Sequence, residues 1–289
     1  MTDVQNGLMN NLGSMYLSDE RRPALHSRAA LTVQSLLLAA LLIAVAAQAA
    51  SPAIKAPQVD TPKRVLFVGN SYFFYSGSVH FYTRRIALAA DPVWAKPFQY
   101  KAATIAGSPL AHHSIETLTE PGKLGVKEPW EVVILQGNST DALSDAARAE
   151  FRRTVIEFNE VIRKRSGRTA LYMTQAHVKP SRSASREMMR KTEEMYVSIG
   201  NEIGALVIPA GLAFEEAYRQ RPDIKLHEDY DGSHPTQLGV YLAACTVYAS
   251  LYGKSPVGNS YDYYGKVSKD DAAFLQVVAD ETVKKFFGR

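Results

Sequence analysis

Residues 64–71 read Arg-Val-Leu-Phe-Val-Gly-Asn-Ser. A short β-branched and apolar run closed by Gly69 suits a strand buried on both faces of a parallel sheet. Four further runs of the same kind follow: Phe98 to Ile105, Val132 to Gln136, Thr169 to Thr174 and Ala205 to Pro209. Segments of helical character separate them. The clearest is Ser144 to Lys164, where Phe151, Val155, Phe158 and Ile162 recur at spacings of four, three and four and form one apolar stripe. Ser144 fits its N-cap, and Gly167 lies shortly past its end. A second helix is expected from about Ser185 to Ile203. A third follows Pro235, with Leu238, Leu242, Cys245 and Tyr252 inward and Gly253 as terminator. The last runs from Lys269 to Phe287, with Phe274, Val277, Val278 and Val283 as its apolar positions. Strands alternating with helices predict one α/β domain with a parallel sheet over residues 63–289.

Outward from that domain toward the N-terminus, Ser51 to Pro62 is rich in Pro, Ala and Lys and reads as a linker, spanning 50–62. Before it, residues 36–47 are twelve apolar residues without a charge, preceded by Arg21, Arg22 and Arg28 and followed by Ala47-Gln48-Ala49. That is the pattern of a secretory signal peptide, here residues 1–49. Twelve helical residues rise only about 18 Å, short of a ~30 Å hydrocarbon core. The alternative is an uncleaved anchor starting near Ala29. The long n-region also allows translation to begin at Met15. The expected location is therefore periplasmic or secreted, with membrane contact only through the leader.

The composition agrees with a globular chain: of 289 residues, 46% are hydrophobic and 21% charged. The net charge of +4 is no nucleic-acid footprint. A single cysteine, Cys245, excludes an internal disulfide and a cysteine-based zinc site, and its place on an apolar stripe reads as core packing.

In open parallel sheets, ligands bind at the carboxyl ends of the strands. The residues there are Asn70-Ser71, Ala106-Gly107-Ser108, Gly137-Asn138-Ser139 and Gln175-Ala176-His177. Ser71, two residues past Gly69, can sit at a helix N-terminus, where free N–H groups and the dipole favour an oxyanion. The bland reading of Asn70-Ser71 is a turn and an N-cap. Near the other end stands Tyr230-Asp231-Gly232-Ser233-His234-Pro235. With Pro235 at the first helical position, His234 falls at or beside the cap, and Asp231 lies three residues away across a turn, able to orient the imidazole. Asp-x-x-His could instead supply two metal ligands, but no third is announced. Gly107 offers an unhindered backbone N–H, and Asn138 a side-chain amide of the kind found in oxyanion holes.

The ordered set Ser71, Gly107, Asn138 and Asp231-x-x-His234, each beside a strand end or helix start, resembles the SGNH (GDSL-type) hydrolases. The likeness lies in scattered blocks over residues 63–255, and the segment Asp231 to Gly258 is similar to a poorly characterised bacterial SGNH-like subgroup. The resemblance implies a flavodoxin-like three-layer α/β/α sandwich with a five-stranded parallel sheet. It also implies a serine ester hydrolase without metal or cofactor. Ser71 would be the nucleophile, His234 the base and Asp231 its orienting partner, with Ser71, Gly107 and Asn138 forming the oxyanion hole. The chain departs from the family pattern at Asn70, where the family has Asp, and at Gln136 and Ser139, where it has Gly and Asp. These departures alter the hydrogen bonding around the site. The expected substrate is a small-molecule or glycan ester, O-acetyl or short acyl by family analogy. A lipase- or thioesterase-like esterase, a glycan O-acyltransferase and a non-catalytic carbohydrate-binding protein are the alternatives.

His177, Asn70 and Gln136 are candidates for contacts to substrate. His112 and His113 read as a solvated loop. The rings of Tyr72, Phe73, Phe74 and Tyr75 read mainly as packing of the first helix. The basic stretch Lys179 to Lys191 reads as a solvated helix face, and Tyr261, Tyr263 and Tyr264 as an aromatic cluster without an assigned role.

Overall fold

The computed structural model describes residues 51–289; the leader expected over residues 1–49 lies outside the described residues. Five strands, β1 (Arg64–Gly69), β2 (Gln99–Thr104), β3 (Val132–Leu135), β4 (Arg168–Tyr172) and β5 (Leu206–Ile208), form one sheet in the order β2-β1-β3-β4-β5, every pair parallel. The long helices are α1 (Val79–Ala90), α2 (Asp145–Lys164), α3 (Met188–Ile203), α4 (Ala210–Gln220), α5 (Gln237–Tyr252) and α6 (Lys269–Phe287).

Strand side chains alternate between faces, and the core divides accordingly. Val65, Phe67, Ile134, Tyr172 and Ile208 pack with α1, α4, α5 and α6 on one face. Leu66, Val68, Val133, Leu171 and Val207 pack with α2 and α3 on the other. This is the three-layer α/β/α sandwich. Because both faces are covered, β1 and β3 show no polar alternation, whereas edge strand β2 exposes Gln99 and Lys101. In register, Gly69 stands opposite Thr104 and Val68 opposite Leu135. The chain segments leaving β1, β2 and β3 therefore emerge on one sheet edge.

Four local expectations are corrected. Pro235 is not the first helical residue: it forms an isolated bridge with His227, and Thr236 caps α5 through its hydroxyl, which accepts from the Gly239 N–H at 3.3 Å. Helix α5 has no single inner face. Residues 239–251 are all buried, because α1, α4, α6 and the sheet surround it. Helix α3 starts at Met188, not Ser185, and Val277 of α6 is 37% exposed. The segment 51–62 lies against the domain. Asn201 accepts from the Ala53 N–H and donates to the Ser51 carbonyl, and Pro52, Pro57 and Pro62 are buried. Among the described residues, no helix is long and apolar enough to cross a membrane.

Candidate active site

Ser71 opens a helical turn, Ser71–Phe74, directly after β1. As the first residue of a helix its N–H has no intrahelical acceptor. Asn70 caps the turn, its side-chain oxygen accepting from the Tyr72 N–H.

The loop before α5 delivers His234 to the same place. Asp231 Oδ1 accepts the N–H groups of Ser233 (2.8 Å) and His234 (3.0 Å), and the Glu228 N–H donates to the His234 carbonyl at 2.8 Å. Gly232, at φ +63°, lies so close to the segment after β4 that a Cβ would run into the Val178 carbonyl oxygen. The Val178 N–H in turn donates to the Gly232 carbonyl. Held this way, His234 Nδ1 sits 2.5 Å from Asp231 Oδ2, and His234 Nε2 sits 2.9 Å from Ser71 Oγ. A carboxylate only accepts, so Nδ1 carries the proton and Nε2 is free to accept from the Ser71 hydroxyl. Partial burial would raise the Asp231 carboxyl. The hydrogen bonds from the His234 ring and from the Ser233 and His234 N–H groups outweigh it and hold the group below its ordinary value.

Gly107 follows β2 at φ +65°, and a Cβ there would meet nothing within 4 Å; glycine is required for the backbone conformation, not for room. Asn138 follows β3. Its Oδ1 accepts from both the N–H and the hydroxyl of Thr140, which assigns the amide orientation and leaves Nδ2 as its outward donor. The Asn138 N–H donates to Asp141 Oδ2 at 2.7 Å. Burial pushes the Asp141 carboxyl up to about 6, against the pull of that N–H.

Asn70 and Gln136, candidates for substrate contact, are buried side by side. They are 4% and 0% exposed and bind each other: the Asn70 N–H donates to Gln136 Oε1 at 2.9 Å, and Gln136 Nε2 donates to Asn70 Oδ1 at 3.0 Å. Asn70 Nδ2 points at the carbonyls of Ser108 and Gly137, both at 3.2 Å. One side chain thus ties together the exits of β1, β2 and β3. Gly69 makes room for the Gln136 side chain, since a Cβ there would lie 2.5 Å from Gln136 Oε1.

His177 is half-buried, one residue from the Ser71–His234 pair through Tyr72. The Tyr72 hydroxyl bonds Ser233 Oγ (2.6 Å) and His177 Nε2 (2.9 Å), Ser233 Oγ bonds His177 Nε2 (3.0 Å), and His177 Nδ1 bonds Ser181 Oγ (2.8 Å). Burial lowers the His177 pKa, with a smaller opposing effect from Asp231. His112 is exposed as expected, but His113 is buried and donates from Nε2 to the Gly69 carbonyl at 2.8 Å. Tyr72 and Phe73 are packed as expected. Tyr75 is not: its ring stacks on His234 at 4.4 Å with planes 25° apart, and its hydroxyl bonds that of Tyr230. The sequence signal for Tyr75, Tyr230 and Ser233 was their nearness to Ser71 and His234, which does not say which ring turns toward the site. Among the described residues, no three His, Cys, Asp or Glu side chains converge as a metal-binding set.

A hydrogen-bonded line of Ser, His and Asp at the carboxyl edge of a five-stranded parallel sheet ordered 2-1-3-4-5 is the layout of the SGNH hydrolase fold. The chain matches a crystal structure of a DUF4886 family protein from Bacteroides uniformis, with TM-score 0.58, 18% identity, and 76% of this chain and 93% of that one covered. It also matches a protein from Slackia heliotrinireducens provisionally assigned as an SGNH hydrolase, with TM-score 0.52, 19% identity, and 66% and 99% covered. A Bacillus subtilis protein matches with TM-score 0.50 and 14% identity; the match covers 66% of this chain and 56% of that one. No family model and no curated relative matches the chain. The fold is therefore that of the SGNH hydrolases.

Proposed function

We propose that the protein is an exported serine ester hydrolase that removes an acetyl or short acyl group from a carbohydrate or small molecule. The observation that carries the reading is the unbroken hydrogen-bond line from Asp231 through both nitrogens of His234 to Ser71 Oγ. His234 Nε2 takes the Ser71 proton as Oγ attacks the ester carbonyl carbon. The tetrahedral oxyanion is met by the N–H groups of Ser71 and Gly107 and by Asn138 Nδ2. As the C–O bond to the alcohol breaks, His234 returns the proton to the leaving oxygen. Water, deprotonated by His234, then attacks the acyl-serine carbonyl carbon, and His234 hands that proton to Ser71 Oγ as the C–Oγ bond breaks, releasing the acid and free Ser71. Asp231 holds the imidazole in the tautomer this requires and stabilises its charged form.

Labelling of the purified protein with a fluorophosphonate, with Ser71→Ala as control, tests the nucleophile. A Ser71-dependent adduct supports the reading, and its absence favours a non-catalytic binding protein. Release of acetate rather than longer acids from a mixed ester panel supports the short-acyl assignment. Transfer to a sugar acceptor in excess of hydrolysis would make the protein an acyltransferase. Export rests on the charged, apolar and Ala47-Gln48-Ala49 segments of the leader. N-terminal sequencing of the mature protein beginning near Ala50 supports cleavage, and a full-length product in the membrane fraction supports the anchor.

A further inference from the structure

We propose that Tyr75 and Tyr230 form a leaving-group subsite, a rigid aromatic platform that receives a neutral pyranose ring of the alcohol half of the ester. This rests on the hydrolase reading in one respect: the alcohol must lie beside the imidazole that protonates it, and these rings stand there. Tyr75 covers one face of His234, and its hydroxyl is bonded to that of Tyr230. Tyr230 lies immediately before Asp231 in the chain and is 63% exposed, and Phe74, next to Tyr75, is 39% exposed.

Tyr230 is exposed and Tyr75 half-buried, yet both are fixed. The chain after Tyr75 runs through three consecutive left-handed residues, Ser76 (φ 49°), Gly77 (φ 107°) and Ser78 (φ 72°). Such backbone persists only where its surroundings over-determine it. The braces are the Tyr82 hydroxyl, which donates to the Ser76 carbonyl at 3.2 Å, and the stacking of Tyr263 on Tyr82 at 4.6 Å. Ser76 Oγ also donates to Glu228 Oε1 at 3.3 Å, so residues 75–76 are clasped twice to residues 228–230. This accounts for Tyr263, which acts as a post under the loop. An aromatic surface held in place before binding gives contact area with little ordering cost.

The surroundings select the occupant. A pyranose offers an apolar C–H face and a rim of hydroxyl donors. The exposed face of Tyr230 meets the first, and the carboxylates of Glu228 and Asp229 beside it can accept from the second. Asp229 is paired with Lys225 at 2.9 Å, but among the described residues Glu228 has only the neutral Ser76 hydroxyl as side-chain partner and repels an anionic sugar or a phosphorylated alcohol, which points to a neutral ring.

The test compares kcat/KM for three acetates that share an acyl group: ethyl acetate, a monoacetylated methyl β-xylopyranoside, and its uronate counterpart. In the wild type, the pyranoside ester is expected to exceed the other two. In Tyr230→Ala, the ratio of pyranoside ester to ethyl acetate should fall about tenfold. Tyr230→Phe and Tyr75→Phe, which keep the rings and the Ser76–Glu228 bond and lose only the bond between the two hydroxyls, should lower that ratio by less. A ratio unchanged in Tyr230→Ala, or no wild-type preference for the neutral pyranoside, overturns the proposal. Should the wild type release acetate from none of the three, the hydrolase reading fails, and the platform is judged separately. Titration of methyl β-xylopyranoside must then move the Tyr230 ring resonances of the wild type, and unmoved resonances refute it.

Discussion

Replacing Asn70 by aspartate, the residue type that SGNH hydrolases carry there, should destabilise this protein by about 3 kcal/mol at pH 8. Asn70 is 4% exposed, and its Nδ2 donates to the carbonyls of Ser108 and Gly137, both at 3.2 Å. Aspartate keeps the shape but has no donor when ionised. Two hydrogen bonds worth about 1 kcal/mol each are lost, and a carboxylate oxygen is set against two carbonyl dipoles out of water, which adds several kcal/mol. Oδ1 would still accept from the Tyr72 N–H and Gln136 Nε2, and a charge on it strengthens both, returning roughly 2 kcal/mol. The sum is a loss near 3 kcal/mol, with the new carboxyl raised above its unfolded value. The sign with pH follows: the penalty is full above the raised folded pKa and shrinks as pH falls toward about 4, where the carboxyl, once protonated, can donate a single hydrogen bond. Urea denaturation of wild type and variant at pH 8 and pH 4.5, followed by tryptophan fluorescence, measures it. A variant within about 0.5 kcal/mol of wild type at pH 8 would refute the reasoning. So would a deficit that fails to shrink on acidification.

Asp231→Asn should lower kcat roughly 10⁴-fold with little change in KM, because the amide no longer fixes the His234 tautomer; steady-state kinetics on the ester found active checks it. Asn138→Ala should cost kcat about 10²–10³-fold through loss of one oxyanion donor, and a change confined to KM would remove Asn138 from that role. Asp141 has a folded pKa of about 6, above its ordinary value, so its contribution to stability is greatest at low pH and falls as pH rises from about 4 to 6. Asp141→Asn should therefore gain on the wild type by about 2 kcal/mol between pH 4 and pH 8, as read by parallel urea titrations. Thr236→Ala should cost about 1 kcal/mol by uncapping α5, measured by thermal or urea unfolding.

The sheet and its edge were legible because period and composition respond to burial. Val65, Leu66, Phe67 and Val68 are apolar without alternation since helices cover both faces, and the same holds for Val132 to Leu135. Ser144 was legible as a cap because capping uses one residue and its neighbours. The places where sequence reading missed share a different cause. Helix α5 showed an apolar stripe, but nothing local says that three helices and the sheet surround it. His113 looked like a loop residue because the carbonyl it binds belongs to Gly69, 44 positions away. Tyr75 and Phe74 are adjacent and chemically alike, yet only Tyr75 turns onto His234, a choice made by left-handed backbone at Ser76 to Ser78 that no periodicity encodes.

The departures from the SGNH pattern at Asn70 and Gln136 had separate meanings in the sequence and have one in the structure. Asn70 stands for Asp and Gln136 for Gly, and the two form a reciprocal pair. Taken alone, each looks like erosion of a catalytic motif and would favour a silent scaffold. Taken together, each supplies what the other needs. Gln136 satisfies the Asn70 N–H and oxygen, and the amide nitrogen of Asn70 is thereby directed at the loops carrying Gly107 and Asn138. The pair should therefore be coupled in free energy. Gln136→Gly alone strips Asn70 of two partners, and Asn70→Asp alone buries an unmatched charge. The double change also takes from the new carboxylate the Gln136 Nε2 donor that the single change leaves it, so its cost should exceed the summed single costs by at least about 1 kcal/mol. Strict additivity in the urea-denaturation cycle would mean that the two side chains touch without depending on each other. Coupling without loss of Ser71 reactivity toward a fluorophosphonate would place the pair in the support of the fold alone. Coupling accompanied by slower labelling would place it in the support of the nucleophile as well.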